Sequence, residues 1–495
     1  MDIPAKELLP NREITKDKIL QIISTGSTVN GHEGFISAMG RIYSNEDSLL
    51  SNGKKASKAW LSNGVSLRDM FYGYIDQINK DLNNHTFYKF YDFPSGNQNA
   101  RHALTIFENQ KFNKTIYTKD HFCLTEGATG AISAVFEVFK SKFPEGEIVI
   151  PSPSYYIFRF IAQRRGIPFR EICTISKSSI NEMSAISMQK ILDSISKKTK
   201  LIILSQPTNP SGEIYSTEQI SQLLKTAKEK GIWVLFDEVF FDLIYNPTDI
   251  KQSDLIAYDE GVMSNIIIVK SFSKNRNMPA FRMGYVFSKI DGLAHAIGSI
   301  LEEQVGLAVG SNFQQIIIKD SFYSTVLLRQ NLNPRKIIQE VIAEVRKEYE
   351  IAIPTFQNND EQLTKGFLEF SKYINDTVNY YRNNFIKMRD IIDLYLGKCI
   401  VSKSGFNAFI RINKLDNVNS FDFMLNLYLS TGIMIQPGPY FGFSQKMWDE
   451  KLGFWLRITY GTDISILENN LKRLNEFVDI YLKYPNQYIH TDLVY

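Results

Sequence analysis

Between about residues 120 and 290, short apolar runs alternate with longer amphipathic segments. Glu147-Ile-Val-Ile150, Lys200-Leu-Ile-Ile-Leu204, Ile232-Trp-Val-Leu-Phe236 and Asn265-Ile-Ile-Ile-Val269 are apolar almost throughout. That is the pattern of strands buried on both faces. Gly130–Lys140, Phe158–Arg165 and Thr217–Lys230 lie between them and carry helical periodicity. Strand, helix, strand in this order predicts an α/β domain with a mainly parallel sheet covered on both faces. Ligands in such folds sit beyond the carboxyl ends of the strands, so the polar residues after each strand are read together.

The chain changes character from about residue 321 to 380, which reads as a mostly helical insertion. Arg335–Arg346 places Ile337, Val341 and Val345 four apart, on one face of a helix. Ile353-Pro-Thr-Phe-Gln-Asn-Asn-Asp-Glu-Gln-Leu-Thr-Lys-Gly366 is loop-like, and Phe385–Leu396 is helical again. Gly405–Arg411 and Phe454–Tyr460 read as strands of a second, smaller domain. The expected division is 1–100 as an N-terminal segment serving the small domain and an interface, 101–320 as the large domain, 321–380 as the insertion, and 381–495 as the small domain.

Composition narrows the possible roles. The 495 residues are 44% hydrophobic and 22% charged, and 56 basic residues against 53 acidic leave a net charge of only +3. No electrostatic case exists for a nucleic-acid or membrane partner. No apolar run approaches the roughly 20 residues of a membrane helix, and the charged start MDIPAKELLPNREITKDK predicts no signal peptide. Cys123, Cys173 and Cys399 stand far apart, and the six histidines form no HxxxH or HxH pair. A cytoplasmic protein without a structural metal is expected.

Chemistry gathers at the strand ends. The run Ile266–Val269 leads into Ser271-Phe-Ser-Lys274-Asn-Arg-Asn-Met-Pro-Ala-Phe-Arg282-Met-Gly284, where cations at the mouth of a buried strand call for an anion. Asp237-Glu238 follows the strand ending at Phe236, and the turn Ser205-Gln-Pro-Thr-Asn209-Pro-Ser-Gly212 follows Leu204. Thr125-Glu-Gly-Ala-Thr-Gly130 precedes a helix whose N–H groups could cradle an anion.

In order and spacing these motifs resemble the class I/II aminotransferases, pyridoxal-phosphate enzymes of fold type I. The pieces are Tyr91-Asp-Phe-Pro-Ser-Gly96 with Arg101, Gly127-Ala-Thr129, Pro153-Ser-Tyr155, Asn209-Pro-Ser-Gly212, Asp237-Glu-Val239, the Lys274 stretch, Pro437-Gly-Pro-Tyr-Phe-Gly442 and Leu456-Arg457. The resemblance runs from about residue 85 to 470. It implies a large domain with a mainly parallel central sheet plus a smaller α/β domain, and pyridoxal 5′-phosphate as cofactor. Lys274 is implied to hold the cofactor aldehyde and then to move the proton between the substrate Cα and the cofactor C4′. Arg282, Ser271 and Ser273 are implied to clamp the phosphate, with Ala128 and Thr129 completing the cup. Asp237 is implied to pair with the ring nitrogen, Asn209 to bond O3′ and face the substrate, Tyr155 to stack on the ring, and Arg457 to bind the substrate α-carboxylate. Tyr91 matches a tyrosine that reaches the neighbouring subunit's phosphate, implying a homodimer with shared sites.

Two departures bear on the reaction. Phe240 stands where the family usually has tyrosine, and Thr25-Gly-Ser-Thr-Val-Asn-Gly-His-Glu-Gly34 lacks the family's usual opening. Amino-group transfer from an L-amino acid to a 2-oxo acid is the first expectation. Another reaction of the same cofactor (elimination, replacement, decarboxylation or oxidation) is the alternative. A non-catalytic regulator is a third reading. It is opposed by the joint presence of Lys274, Asp237 and Arg457, and by the lack of a basic helix-turn-helix pattern in the first 85 or so residues.

Overall fold

The computed structural model describes residues 8–495 apart from 12, 25–31, 84–90, 113, 183, 248–249, 306–312 and 351–358. The short strand β1 (Ala59–Trp60) comes first, and seven strands then build the central sheet. These are β2 (Phe122–Glu126), β3 (Glu147–Ser152), β4 (Phe169–Cys173), β5 (Thr199–Ser205), β6 (Trp233–Asp237), β7 (Ile266–Ser271) and β8 (Met283–Phe287). Their spatial order is β2-β8-β7-β6-β5-β3-β4, and β8 alone runs against its neighbours. Register places Asp237 beside Ser205 on one side and Val269 on the other.

The continuous apolar runs follow from the two-residue period of a strand covered on both faces. Ile148, Ile150, Leu201, Ile203 and Leu235 face one layer, packed against helix Gly127–Lys142 through Ala131, Ile132, Val135 and Phe136. Val149, Ile202, Leu204, Val234 and Phe236 face the other, against helices Gln98–Asn109, Thr217–Lys230 and Gln314–Leu332. Each fully buried aliphatic side chain contributes about 1.5–3 kcal/mol to this sandwich.

A third core belongs to the smaller sheet, formed from β9 (Lys398–Cys399), β10 (Asn407–Arg411), β12 (Gln436–Pro437) and β13 (Trp455–Thr459) in the order β12-β13-β10-β9. Strand β11 (Ile433–Met434) pairs in parallel with β1, which ties the N-terminal segment to this domain. The register Phe409↔Arg457 and Gln436↔Arg457 sets three chain segments around one arginine.

Two readings of the 321–380 region change. Ile337 is exposed, because the helix begins one residue later at Ile338 and buries Val341, Ile342, Val345 and Tyr349 instead. Within the stretch read as a loop, residues 353–358 lie outside the described residues, but Asp360 starts a 32-residue helix to Ile391. Its start is a capping box in which Asn359 and Gln362 bond each other's main-chain N–H groups. The polar run Asn-Asn-Asp-Glu-Gln is a helix start, and Leu363, Phe367 and Phe370 bury its first turns in the large core. The segment expected to be helical from Phe385 is the far end of the same helix, seated by Tyr381, Phe385 and Met388 in the small core.

Candidate active site

At the carboxyl ends of β5, β6 and β7, where the small sheet leans over the large one, lies a cavity of about 210 Å3. Every residue assigned by resemblance to the cofactor or the substrate lines it except Tyr91. Tyr91 is 92% exposed and does not reach the cavity of its own chain.

Strand β7 ends at Ser271, whose hydroxyl accepts from the Ser273 N–H at 3.1 Å and caps the short helix Phe272–Asn275. That turn carries Lys274 inward, where its Nζ donates to the Gly64 carbonyl oxygen at 2.6 Å. Burial, with the positive charges of Arg457 and Arg282 nearby, brings the ammonium down to about 8. The strand is anchored behind the site by Lys270, paired to the buried Glu108 at 2.8 Å. Burial alone would push the Glu108 carboxyl up, but Lys111 and Lys270 outweigh it and hold it at about 2.

Arg282 adopts a left-handed backbone (φ 51°) and donates to the carbonyl oxygens of Pro279 at 3.0 Å and Glu126 at 3.2 Å. No carboxylate among the described residues pairs with it. Its guanidinium lies against Gly127, where a Cβ would stand 3.0 Å from Nη2, and a Cβ on Gly284 would stand 2.7 Å from the Gly127 Cα. Glycine at both positions lets the arginine approach the first turn of helix Gly127–Lys142, where Ala128 and Thr129 line the cavity.

Asp237 ends β6 at 4% exposure, and its Oδ1 is buried with no hydrogen-bond partner among the described residues. Burial drives its carboxyl up to about 7, with Glu238 adding to the shift and a Val239 N–H opposing it. A buried carboxylate oxygen without a donor is costly unless a ligand supplies one.

Arg457 comes across from β13 and is anchored from three sides. Its Nε and Nη2 donate to the Ser62 hydroxyl and carbonyl at 3.2 and 2.8 Å, Nη1 to Asn209 Oδ1 at 3.0 Å, and Nη2 to Gln436 Oε1 at 2.6 Å. The Phe441 ring lies 5.2 Å from its guanidinium carbon. It has no carboxylate partner among the described residues, and burial lowers it to about 10. Gly64 makes room for it: φ is +64°, and a Cβ there would stand 2.8 Å from Nη2. Tyr155 is partly buried against the core on one face of the large sheet, its phenol pushed up to about 12 by burial and the neighbouring Tyr156.

The sequence reading missed Asn63, Gly64, Tyr156, Ser205, Asn407 and Gln436, all of which line the cavity. Ser62-Asn-Gly64 carried a usable signal, since Asn-Gly is a strong turn dipeptide. Phe240 also lines the cavity, with its ring packed against Phe406 and over Gly405. Among the described residues, no cluster of three or more His, Cys, Asp or Glu side chains could hold a metal ion, and no helix is long and apolar enough to cross a membrane.

The model of the family "aminotransferase class I and II" matches residues 60–474. An aspartate aminotransferase of Sulfolobus acidocaldarius is 23% identical over 389 residues, 78% of this chain and 81% of the relative. Nicotianamine aminotransferase 1 of Oryza sativa subsp. japonica is 23% identical over 373 residues, 74% of this chain and 63% of the relative. Among solved structures, a single mutant of the Thermus thermophilus aspartate aminotransferase superposes with a TM-score of 0.66 at 15% identity, covering 93% of this chain and 98% of that one. That last likeness is one of fold. The match to the family model covers most of the chain: it belongs to the class I and II aminotransferases, enzymes that use pyridoxal 5′-phosphate.

Proposed function

We propose that this cavity carries out amino-group transfer from an L-amino acid to a 2-oxo acid, with each residue in the role its surroundings favour. The observation that carries the reading is the unpartnered Oδ1 of Asp237, facing the same cavity as Lys274, Arg282 and Arg457. The residues fit the cofactor. Arg282 and the Ser271 and Ser273 hydroxyls, with the helix start at Gly127, suit a phosphate. Asp237 suits a protonated ring nitrogen, Asn209 a phenolic oxygen, Tyr155 the flat face of a ring, and Lys274 an aldehyde.

Pyridoxal 5′-phosphate, when bound, supplies an electron sink for charge developing at the substrate Cα and carries the amino group between the two half-reactions. Asp237 holds the proton on the ring nitrogen, because a cation there relieves the cost of ionising a buried carboxylate. Arg457 would capture the α-carboxylate and so orient the substrate's Cα, which selects the bond that is broken. Lys274, with its ammonium held down to about 8, is available as a neutral amine that takes and returns the Cα proton near neutral pH.

The same reading carries three further parts. The chain acts as a homodimer in which Tyr91, exposed on its own subunit, reaches the partner's phosphate site. It resides in the cytoplasm, in keeping with three free cysteines. Its domains divide near residues 100, 320 and 380, boundaries that the helices Gln98–Asn109, Gln314–Leu332 and Asp360–Ile391 run through. The test of function is spectroscopic. Each amino acid is added to purified holoenzyme, followed by 2-oxo acids. Loss of the cofactor's visible absorbance on adding an amino acid, restored by a 2-oxo acid, is expected. Release of ammonia or carbon dioxide in place of that reversal would overturn it.

A further inference from the structure

Besides Asn209, three carboxamides line the cavity: Asn63, Asn407 and Gln436. Each has its oxygen tied to a donor of the protein. Asn63 Oδ1 accepts from the Val65 N–H at 3.1 Å, Asn407 Oδ1 from the Thr459 hydroxyl at 2.8 Å, and Gln436 Oε1 from Arg457 Nη2 at 2.6 Å. With its oxygen fixed, an amide's orientation is fixed too, and its two N–H bonds must look elsewhere. None of the three NH2 groups donates to any described residue. Asn407 is only 4% exposed, and Asn63 and Gln436 are half-buried.

The three are joined to the reacting amine. Lys274 Nζ donates to the carbonyl of Gly64, which follows Asn63, and the Gly64 N–H donates to the Thr459 hydroxyl that holds Asn407. Gln436 rests on the arginine assigned to the α-carboxylate. The donors therefore flank the space that a substrate side chain would enter.

The charges of the cavity are otherwise spoken for. On the proposed reading, Arg282 serves the phosphate, Arg457 the α-carboxylate and Asp237 the ring nitrogen. No further cation lines the cavity among the described residues. A second carboxylate there would find no countercharge from its own chain, and an aliphatic side chain would leave the amide N–H groups that line the cavity unpaired.

Resting on that reading, we infer that the substrate is an L-amino acid whose neutral side chain ends in a carbonyl or hydroxyl oxygen, held by the NH2 groups of Asn63, Asn407 and Gln436.

The test measures binding to the holoenzyme by calorimetry, using α-methyl amino acids, which lack the Cα proton and cannot turn over. α-Methyl-L-glutamine and α-methyl-L-asparagine are compared with α-methyl-L-glutamate, α-methyl-L-aspartate and α-methyl-L-norleucine. The better of the two amides should bind about tenfold or more tighter than every acid and than norleucine, since a site built to donate rejects ligands that leave its donors unpaired. Asn63→Asp and Asn407→Asp keep the shape and replace donors by acceptors; each should erase most of that preference. The wild-type comparison decides the matter even where a variant fails to fold. Tighter binding of the acids or of norleucine overturns the inference and leaves the aminotransferase reading intact. Binding of none of the five also overturns the inference, and the spectroscopic screen then decides the aminotransferase reading.

Discussion

Arg457 Nη1 donates to Asn209 Oδ1 across 3.0 Å, joining β13 of the small sheet to the loop after β5 of the large one. The two residues proposed to meet a substrate's carboxylate and the cofactor's phenolic oxygen thus hold each other. Arg457 occupies the amide oxygen of Asn209 and leaves its NH2 group as the donor that would meet the cofactor's phenolic oxygen.

Arg457→Lys removes the planar fork that would pair with a carboxylate through two hydrogen bonds. A charge-assisted hydrogen bond is worth about 1.5–3 kcal/mol. The apparent Michaelis constant for the amino acid should therefore rise about tenfold or more, while the absorbance of bound cofactor stays as in the wild type. Steady-state kinetics beside a spectrum of the same preparation decide it, and an unchanged Michaelis constant would remove Arg457 from the carboxylate site.

Asp237→Asn separates stability from function. In the cofactor-free protein the Asp237 carboxyl titrates at about 7, above its unfolded value near 3.8. Between about pH 4 and 7 the folded state therefore binds more protons than the unfolded, and stability falls as pH rises. Asparagine has no such penalty. Below pH 4 the cofactor-free variant should match the wild type, and by pH 8 it should be more stable by about 1–4 kcal/mol. Urea unfolding at the two pH values measures this. The same variant should bind pyridoxal 5′-phosphate less tightly, and tighter binding would count against the ring-nitrogen role.

Tyr91 tests the shared site. Lys274→Ala and Tyr91→Phe should each be impaired, yet after subunit exchange some mixed dimers carry both lesions in one site and neither in the other. Activity should rise on mixing. No rise, with exchange verified by mass labelling, would show that Tyr91 serves no site across an interface.

Phe240 lines the cavity at 6% exposure but offers no hydrogen-bond donor. Phe240→Tyr would add a phenol beside the cofactor's phenolic oxygen and favour its anionic form. The titration of the bound cofactor's visible absorbance should shift down by roughly one to two pH units. A constant or higher midpoint would show that position 240 does not face that oxygen.

How much of this was legible in the sequence depended on how local the signal was. The parallel strands β3, β5, β6 and β7 announce themselves, since burial on both faces leaves no polar position to confuse the run. Strand β8 does not: Met283-Gly-Tyr-Val-Phe287 carries at its second position a glycine whose purpose is the contact with Gly127. The motifs of Lys274, Asp237 and Arg457 are each local, and their meeting could be read from order along the chain. Asn63, Asn407 and Gln436 belong to three distant segments brought together by the pairing of β1 with β11 and of β10 and β12 with β13. No periodicity encodes that convergence. The helix start at Asn359 was hidden because capping residues are also loop residues. Only the apolar spacing of Leu363, Phe367 and Phe370 distinguishes the two.

The helix Asp360–Ile391 has its first turns among the aromatic side chains of the large core and its last among those of the small one. Its 32 residues make a rod about 48 Å long. Neither body can melt without unwinding a rod that the other still grips, so their unfolding is cooperative across the boundary. A single calorimetric transition is expected for the intact chain, with calorimetric and van't Hoff enthalpies in agreement for the cooperative unit. A cut confined to residues 371–380 should split that one transition into two.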